Sequence, residues 1–326
     1  MNANSIGRRA VLHFIATGAI ALSGSPFVAR AAEQTPRANP SSSFAVTTPI
    51  HVRSVTLRVR DLNRMTGFYR EVIGLDLLAR DVAKSELGKD GALLLTLLAK
   101  PDDQPDDKVS AGLYHTAFLM PDRRTLGAWL IHAYLNGAPF TGFADHLVSE
   151  ALYLDDPEGN GIEVYADRSP MQWTWDKGGV VMATEQLDMD GLVAGLPRTP
   201  TPNYSAPSGL RIGHIHMRVG DVAAARDFYV GAAGLDLTRL LPDSSAAFFA
   251  NGRYHHHVGS NIWQSRGAGK RPEAMSGLDE AVFACAPELM DGLRERLNSR
   301  GLDHREEGDT VETLDPWGSR IRFVVA

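Results

Sequence analysis

The stretch Asp61–Leu77, DLNRMTGFYREVIGLDL, returns 160 residues later as Asp221–Leu237, DVAAARDFYVGAAGLDL. Each copy opens on an aspartate placed to cap a helix, because its side-chain oxygen accepts a backbone N–H that the first turn leaves unpaired. Apolar residues then recur at helical spacing: Leu62, Met65, Tyr69 and Val72 in one copy, Val222, Ala225, Tyr229 and Ala232 in the other. Gly74 and Gly234 end the helices before a short apolar run. An alternating stretch precedes each helix, Val55 to Val59 and Ile215 to Val219, which is the pattern of a half-buried strand.

Two fainter copies complete the set. His115 to Met120 reads as a strand, followed by a helix capped by Asp122, carrying Leu126, Trp129, Leu130 and Ala133 and stopped by Gly137. Ala281 to Ala284 precedes a helix with Leu289, Leu293 and Leu297, stopped by Gly301. Both finish on a turn and strand, DPEGNGIE from Asp156 and DPWGSRIR from Asp315. Four units of strand, helix and strands result, at 51–100, 112–168, 212–262 and 277–326. One such unit buries too little core to stand alone, so the units are expected to pair. Pro170, Pro197, Pro200, Pro202 and Pro207 mark residues 169–211 as a linker between domains at 50–168 and 212–326.

Composition narrows the function classes. The 326 residues are 44% hydrophobic and 22% charged, an ordinary globular mixture, and 33 basic against 39 acidic residues give a net charge of −6. No basic field exists to hold a phosphate backbone, so nucleic acid is not an expected partner. The single cysteine, Cys285, cannot form an intramolecular disulfide. Residues 1–31 stand apart: Arg8 and Arg9 precede a small, apolar run from Ile15 to Val28 that ends in Ala29-Arg30-Ala31. That is the layout of a secretory signal, and SIGRRAVL from Ser5 to Leu12 resembles a twin-arginine signal. Cleavage after Ala31 removes three arginines and no acid, taking the net charge from −6 to −9. The reading is an exported, periplasmic protein that meets the twin-arginine translocon on its way. No membrane association is expected once the signal is gone, because no later stretch is long and apolar enough to span a bilayer. Residues 32–49, rich in Pro, Ser, Thr and Ala, read as a flexible tether.

Polar residues break the strand pattern at a few places. His115 and His214 each stand seven residues before a helix-capping aspartate. Glu163 lies in an apolar strand between Ile162 and Val164, where a carboxylate needs a cation, a metal or strong hydrogen bonds. Two imidazoles and one carboxylate would hold a divalent ion by three positions and leave the others open, the set that non-haem Fe(II) uses to activate oxygen. The other two copies place Ser54 and Ala281 at the histidine position, and Arg322 replaces the carboxylate in the fourth, so a single ligand set is expected per chain. A strand histidine is also a common half-buried structural residue.

The paired repeats, together with DHLVSEALYLDDPEGNGIE from Asp145 to Glu163, GHIH at 213–216 and YHHH at 254–257, resemble the vicinal oxygen chelate superfamily. Its members include glyoxalases, bleomycin-resistance proteins and extradiol dioxygenases, and the likeness is to the branch with two fused halves. The resemblance covers residues 50 to 326 and implies an α+β fold of four βαβββ modules in two fused domains, with mixed sheets curled into cups around a metal. It implies His115, Glu163 and His214 as ligands of Fe(II), with Mn(II) as an alternative metal. It further implies His256, or His257 one register away, as the acid/base. Tyr153 matches a residue that hydrogen-bonds the substrate, His146 one that lines the catechol site, and His216 an oxygen-pocket residue. The implied reaction is extradiol cleavage of a small aromatic diol by O2, with homo-oligomerisation an open possibility. A glyoxalase-like lyase or isomerase and a non-catalytic binder on the same fold are the rival readings. Because the ligands come from the second and third units, those two should pair across the linker.

Overall fold

The computed structural model describes residues 43–199, 201 and 203–326. The signal expected over 1–31, and residues 32–42 of the expected tether, lie outside the described residues. The capping aspartates do what their positions predict. Asp61, Asp122 and Asp221 accept from the backbone N–H of Arg64, Thr125 and Ala224 and start helices α1 (Leu62–Phe68), α2 (Arg123–Leu135) and, after the short α3 (Met189–Val193), α4 (Val222–Tyr229). A fourth module helix, α5 (Pro287–Ser299), opens on proline instead. Gly74 and Gly234 close the first and third module helices at φ +85 and +83, backbone that a Cβ would strain.

Each module supplies four strands. The first gives β1 (Ile50–Val59), β2 (Asp76–Arg80), β3 (Lys84–Lys89) and β4 (Ala92–Ala99); the second gives β5 (Gly112–Leu119), β6 (Phe140–Asp145), β7 (Ser149–Asp155) and β8 (Gly161–Asp167). Two short strands follow, β9 (Trp175–Asp176) and β10 (Gly179–Val180). The third module gives β11 (Arg211–Arg218), β12 (Asp236–Leu240), β13 (Ala246–Ala250) and β14 (Val258–Asn261), and the fourth β15 (Gly277–Cys285), β16 (His304–Glu307), β17 (Thr310–Leu314) and β18 (Arg320–Val325). In every module the first strand runs parallel to the fourth, and the remaining pairs are antiparallel. This is the α+β architecture expected, in two large mixed sheets that do not close into barrels.

Each sheet joins modules from different halves of the chain. One holds eight strands in the order β16-β17-β18-β15-β1-β4-β3-β2, and the other ten in the order β6-β7-β8-β5-β11-β14-β13-β12-β10-β9. The first modular strands make the joins: β1 pairs antiparallel with β15, and β5 with β11. The first module therefore shares a sheet with the fourth, and the second with the third.

Two segments are more ordered than their composition implies. Residues 43–49 of the expected tether form a turn at Phe44–Thr47, with Ala45 fully buried and Phe44 against Trp173 and Tyr254. The expected linker contributes β9 and β10 to the edge of the larger sheet, α3 beside α2, and a bridge from Glu185 to Asp145. Burial of Trp173, whose indole N–H bonds the carbonyls of Val148 and Arg168, offsets the ordering cost that Pro-rich composition alone would not meet. Among the described residues no helix is long and apolar enough to cross a membrane.

Candidate metal centre

Strands β8, β5 and β11 lie side by side at the middle of the ten-stranded sheet, and their registers decide what meets. Ala117 of β5 is level with Glu163 on one side and His214 on the other. His115, two residues before Ala117, shares its face because strand side chains alternate. Alanine at 117 leaves room between the larger groups. A bulge between Ile212 and His214 brings His214 and His216 onto this same face. Gly213 occupies that bulge, and a Cβ there would stand 1.8 Å from the Tyr165 hydroxyl.

Three groups converge as a result. His115 Nε2 is 3.0 Å and His214 Nε2 3.2 Å from Glu163 Oε2, and all three side chains are buried. Burial opposes ionisation of Glu163, yet His214 and His115 beside it hold its carboxyl well below the usual range. Burial pushes His214 down to about 4, so near neutral pH its ring keeps a lone pair, the state a metal ligand requires. His115 Nε2 is buried and, although 3.0 Å from Glu163 Oε2, is not aligned to form a hydrogen bond. An orphaned ligand nitrogen, a desolvated carboxylate and ligand atoms within 4.8 Å of one another fit a divalent cation with open coordination positions.

The remaining candidates fall into three positions. On one side His146 Nδ1 donates to the Ala183 carbonyl (2.7 Å), and its Nε2 hydrogen-bonds the Tyr153 hydroxyl at 2.7 Å. Tyr153 is the cross-strand neighbour of Glu163, and its ring lies 5.6 Å from that of His115. On the other side the His256 ring sits 4.1 Å from that of His214, and His216, fixed by Asn261 at 3.0 Å, sits 4.9 Å from that of His115. Burial holds both of these imidazoles well below their ordinary range. Tyr114, Phe248 and Trp263 surround His216 with rings 5.2 to 5.8 Å away. His257 does not face the cluster: its Nε2 bonds the Ala45 carbonyl at 3.0 Å and the Thr48 hydroxyl at 3.2 Å, and burial lowers it to about 3. Of the two registers left open by the sequence, it is His256 whose ring packs against the cluster, while His257 is held by Ala45 and Thr48.

Asp167 and His255 were not among the candidates read from the sequence. His255 is fully buried between Asp167 (Nε2 to Oδ1, 2.8 Å) and His256 (Nδ1 to Nδ1, 2.7 Å). A signal existed: Glu163, Tyr165 and Asp167 alternate along β8, so a second carboxylate had to share the face of the first.

The eight-stranded sheet shows what the same frame does without the ligand set. Register places Glu280, Arg322 and Ser54 where the larger sheet has His115, Glu163 and His214. The fourth-module counterpart of His115 is thus Glu280, not the Ala281 expected from the repeat, because the run from strand to helix is one residue shorter there. Arg322 bonds Glu280 at 2.6 Å and reaches Glu312 at 3.4 Å, so a guanidinium supplies the positive charge internally.

The sequence pattern of the Glyoxalase/Bleomycin resistance protein/Dioxygenase superfamily matches residues 51–164 and 211–323. A catechol-2,3-dioxygenase of Bacillus subtilis (strain 168) is 39% identical over 283 residues, which is 84% of this chain and 97% of that protein. Among solved structures, glyoxalase I of Zea mays superposes with a TM-score of 0.53 at 16% identity over 86% of this chain and 94% of its own. A Bacillus subtilis structure does so at 0.56 with 12% identity over 85% of both chains. Those structural likenesses speak for the fold alone. Taken with the doubled sequence match and the close relative, they show that the chain belongs to the glyoxalase/bleomycin resistance/dioxygenase superfamily, with one family domain in each half.

Proposed function

We propose that the protein is an extradiol dioxygenase that opens the ring of a catechol-type substrate with Fe(II) and O2. The observation that carries this reading is the buried set of two imidazoles and one carboxylate on adjacent strands, with an imidazole, His256, packed against one of them. The named activity of the 39% identical Bacillus relative supports it. Held by His115, Glu163 and His214, Fe(II) supplies Lewis acidity toward a catechol hydroxyl and one-electron chemistry toward O2, with Mn(II) the alternative metal.

The chain's own residues do the rest. His256, neutral because burial disfavours its charged form, takes a hydroxyl proton from the diol and returns it later in turnover. The Tyr153 hydroxyl, fixed by His146, is placed to hydrogen-bond an oxygen of the substrate or of its ring-opening intermediate. His216 lines the site with an unprotonated ring, and Tyr114, Phe248 and Trp263 offer apolar faces to an aromatic ring. Both atoms of O2 enter the product as the carbon–carbon bond beside the diol breaks.

Protein purified without oxygen and given Fe(II) should turn over at least one member of a catechol panel in air, yielding a yellow ring-fission product. Failure across the panel, alongside isomerisation of a hemithioacetal with Zn(II) or Ni(II), would replace this reading by the glyoxalase-like one. We further propose export through the twin-arginine pathway to the periplasm, on the SIGRRAVL segment and the Ala29-Arg30-Ala31 site. Arg8→Lys with Arg9→Lys should trap uncleaved precursor in the cytoplasmic fraction; normal maturation of that variant would refute the pathway.

A further inference from the structure

We propose that Asp167 and His255 are positioning residues that fix His256 in the tautomer whose Nε2 carries the lone pair, so that the site's proton acceptor is set in advance. This rests on the acid–base role given to His256 above and adds two residues that no ligand pattern assigns.

A carboxylate only accepts, so the 2.8 Å contact of Asp167 Oδ1 with His255 Nε2 places a proton on that nitrogen. Where that is the ring's single proton, the other nitrogen of His255, Nδ1, offers a lone pair. His256 Nδ1 stands 2.7 Å from it and must be the donor. With its Nδ1 protonated, neutral His256 keeps its lone pair on Nε2. The same two hydrogen bonds run from His256 Nδ1 through the His255 ring to the Asp167 carboxylate. The logic is that of a base oriented by a carboxylate, lengthened here by one imidazole.

The carboxylate is itself held in place. Tyr254 donates its hydroxyl to Asp167 Oδ2 at 2.9 Å, so in the 2.8 Å contact between Tyr165 and Tyr254 the Tyr165 hydroxyl donates. The His255 ring is walled by Tyr254 and Trp173, with centroids 4.1 and 5.2 Å away. Asp167 lies on the same strand and face as Glu163, so β8 delivers both a metal ligand and the anchor of the acid–base histidine.

Asp167→Asn tests the relay because Tyr254 dictates how the amide turns. Its oxygen stays on the Tyr254 hydroxyl, and its N–H faces His255 Nε2. That nitrogen must then accept, the His255 proton moves to Nδ1, and His256 is left protonated on Nε2. Long-range nitrogen–proton NMR correlations of the mature protein loaded with Zn(II) as a diamagnetic probe should show His255 as Nε2–H and His256 as Nδ1–H. Asp167→Asn should invert both, and in the Fe(II)-loaded protein it should lower kcat by on the order of 10²-fold or more, with iron content and KM unchanged. Tyr254→Phe, which keeps the carboxylate on His255, should leave both tautomers as they are. A wild-type His256 carrying its proton on Nε2 would overturn the proposal, as would unchanged tautomers in Asp167→Asn. The spectra need no turnover: correct tautomers without catechol cleavage would refute the extradiol reading and uphold the relay.

Discussion

Glu163 is the residue whose environment most constrains the account. It is an acid 3% exposed, with its oxygen 3.0 and 3.2 Å from two imidazole nitrogens. Were it there for stability as half of a buried ion pair, removing its charge would cost about 3 to 5 kcal/mol. As a metal ligand, it is a burden in the metal-free protein, and Glu163→Gln should leave the melting temperature of the apo form unchanged or raised while metal is lost on desalting. Thermal scans and metal analysis of wild type and variant, with and without Fe(II), read both; a strongly destabilised apo variant that still retains metal would contradict the assignment. His115, Glu163 and His214 were legible in the sequence because each interrupts an apolar strand. Asp167 was visible only as a second carboxylate on the face of Glu163; its pairing with His255 was not, since that contact joins residues 88 apart and no local pattern encodes it.

The turn after each strand pair carries a second lesson, about elements. DPEG and DPWG read as turns from sequence, and both fold alike, with Asp156 Oδ1 accepting from Glu158 and Asn160 and Asp315 Oδ1 accepting from Trp317 and Ser319. What the sequence does not reveal is their depth. Burial raises each carboxyl to about 6, and Asp315 Oδ2 has no partner. Because the folded-state value lies above the unfolded one, the stabilisation is complete below about pH 4 and is lost as pH rises through about 6, roughly 3 kcal/mol per group. The stability of Asp315→Asn relative to wild type should therefore improve by about 3 kcal/mol between pH 4 and pH 7 in urea unfolding. A difference independent of pH would mean that Asp315 is not buried as described. Asp156 also accepts the Tyr69 hydroxyl at 2.9 Å, tying the first module's helix to the second module's turn, a contact invisible to any single repeat.

At the scale of the molecule, four copies of one unit make two sheets, and the pairing sets the function. The repeat and the need for second and third units to meet were readable, because helix caps and strand alternation are local and the expected ligand positions named the partners. The packing of residues 43–49 and of β9 and β10 was not, since aromatic burial overrides a composition that reads as flexible. Among the described residues the proposed ligand set lies in the larger sheet; in the smaller, Arg322 stands where the carboxylate would be. One metal ion per chain and one oxygen-consuming centre are therefore expected. The most direct measurement is oxygen uptake by anaerobically Fe(II)-loaded mature protein on adding a limiting catechol, with iron content and product mass determined on the same sample. The prediction is one iron per chain, one O2 consumed per catechol, no hydrogen peroxide, and a product whose mass equals catechol plus O2. Iron bound at that stoichiometry with no O2 consumed, or O2 consumed with only quinone and peroxide formed, would contradict it.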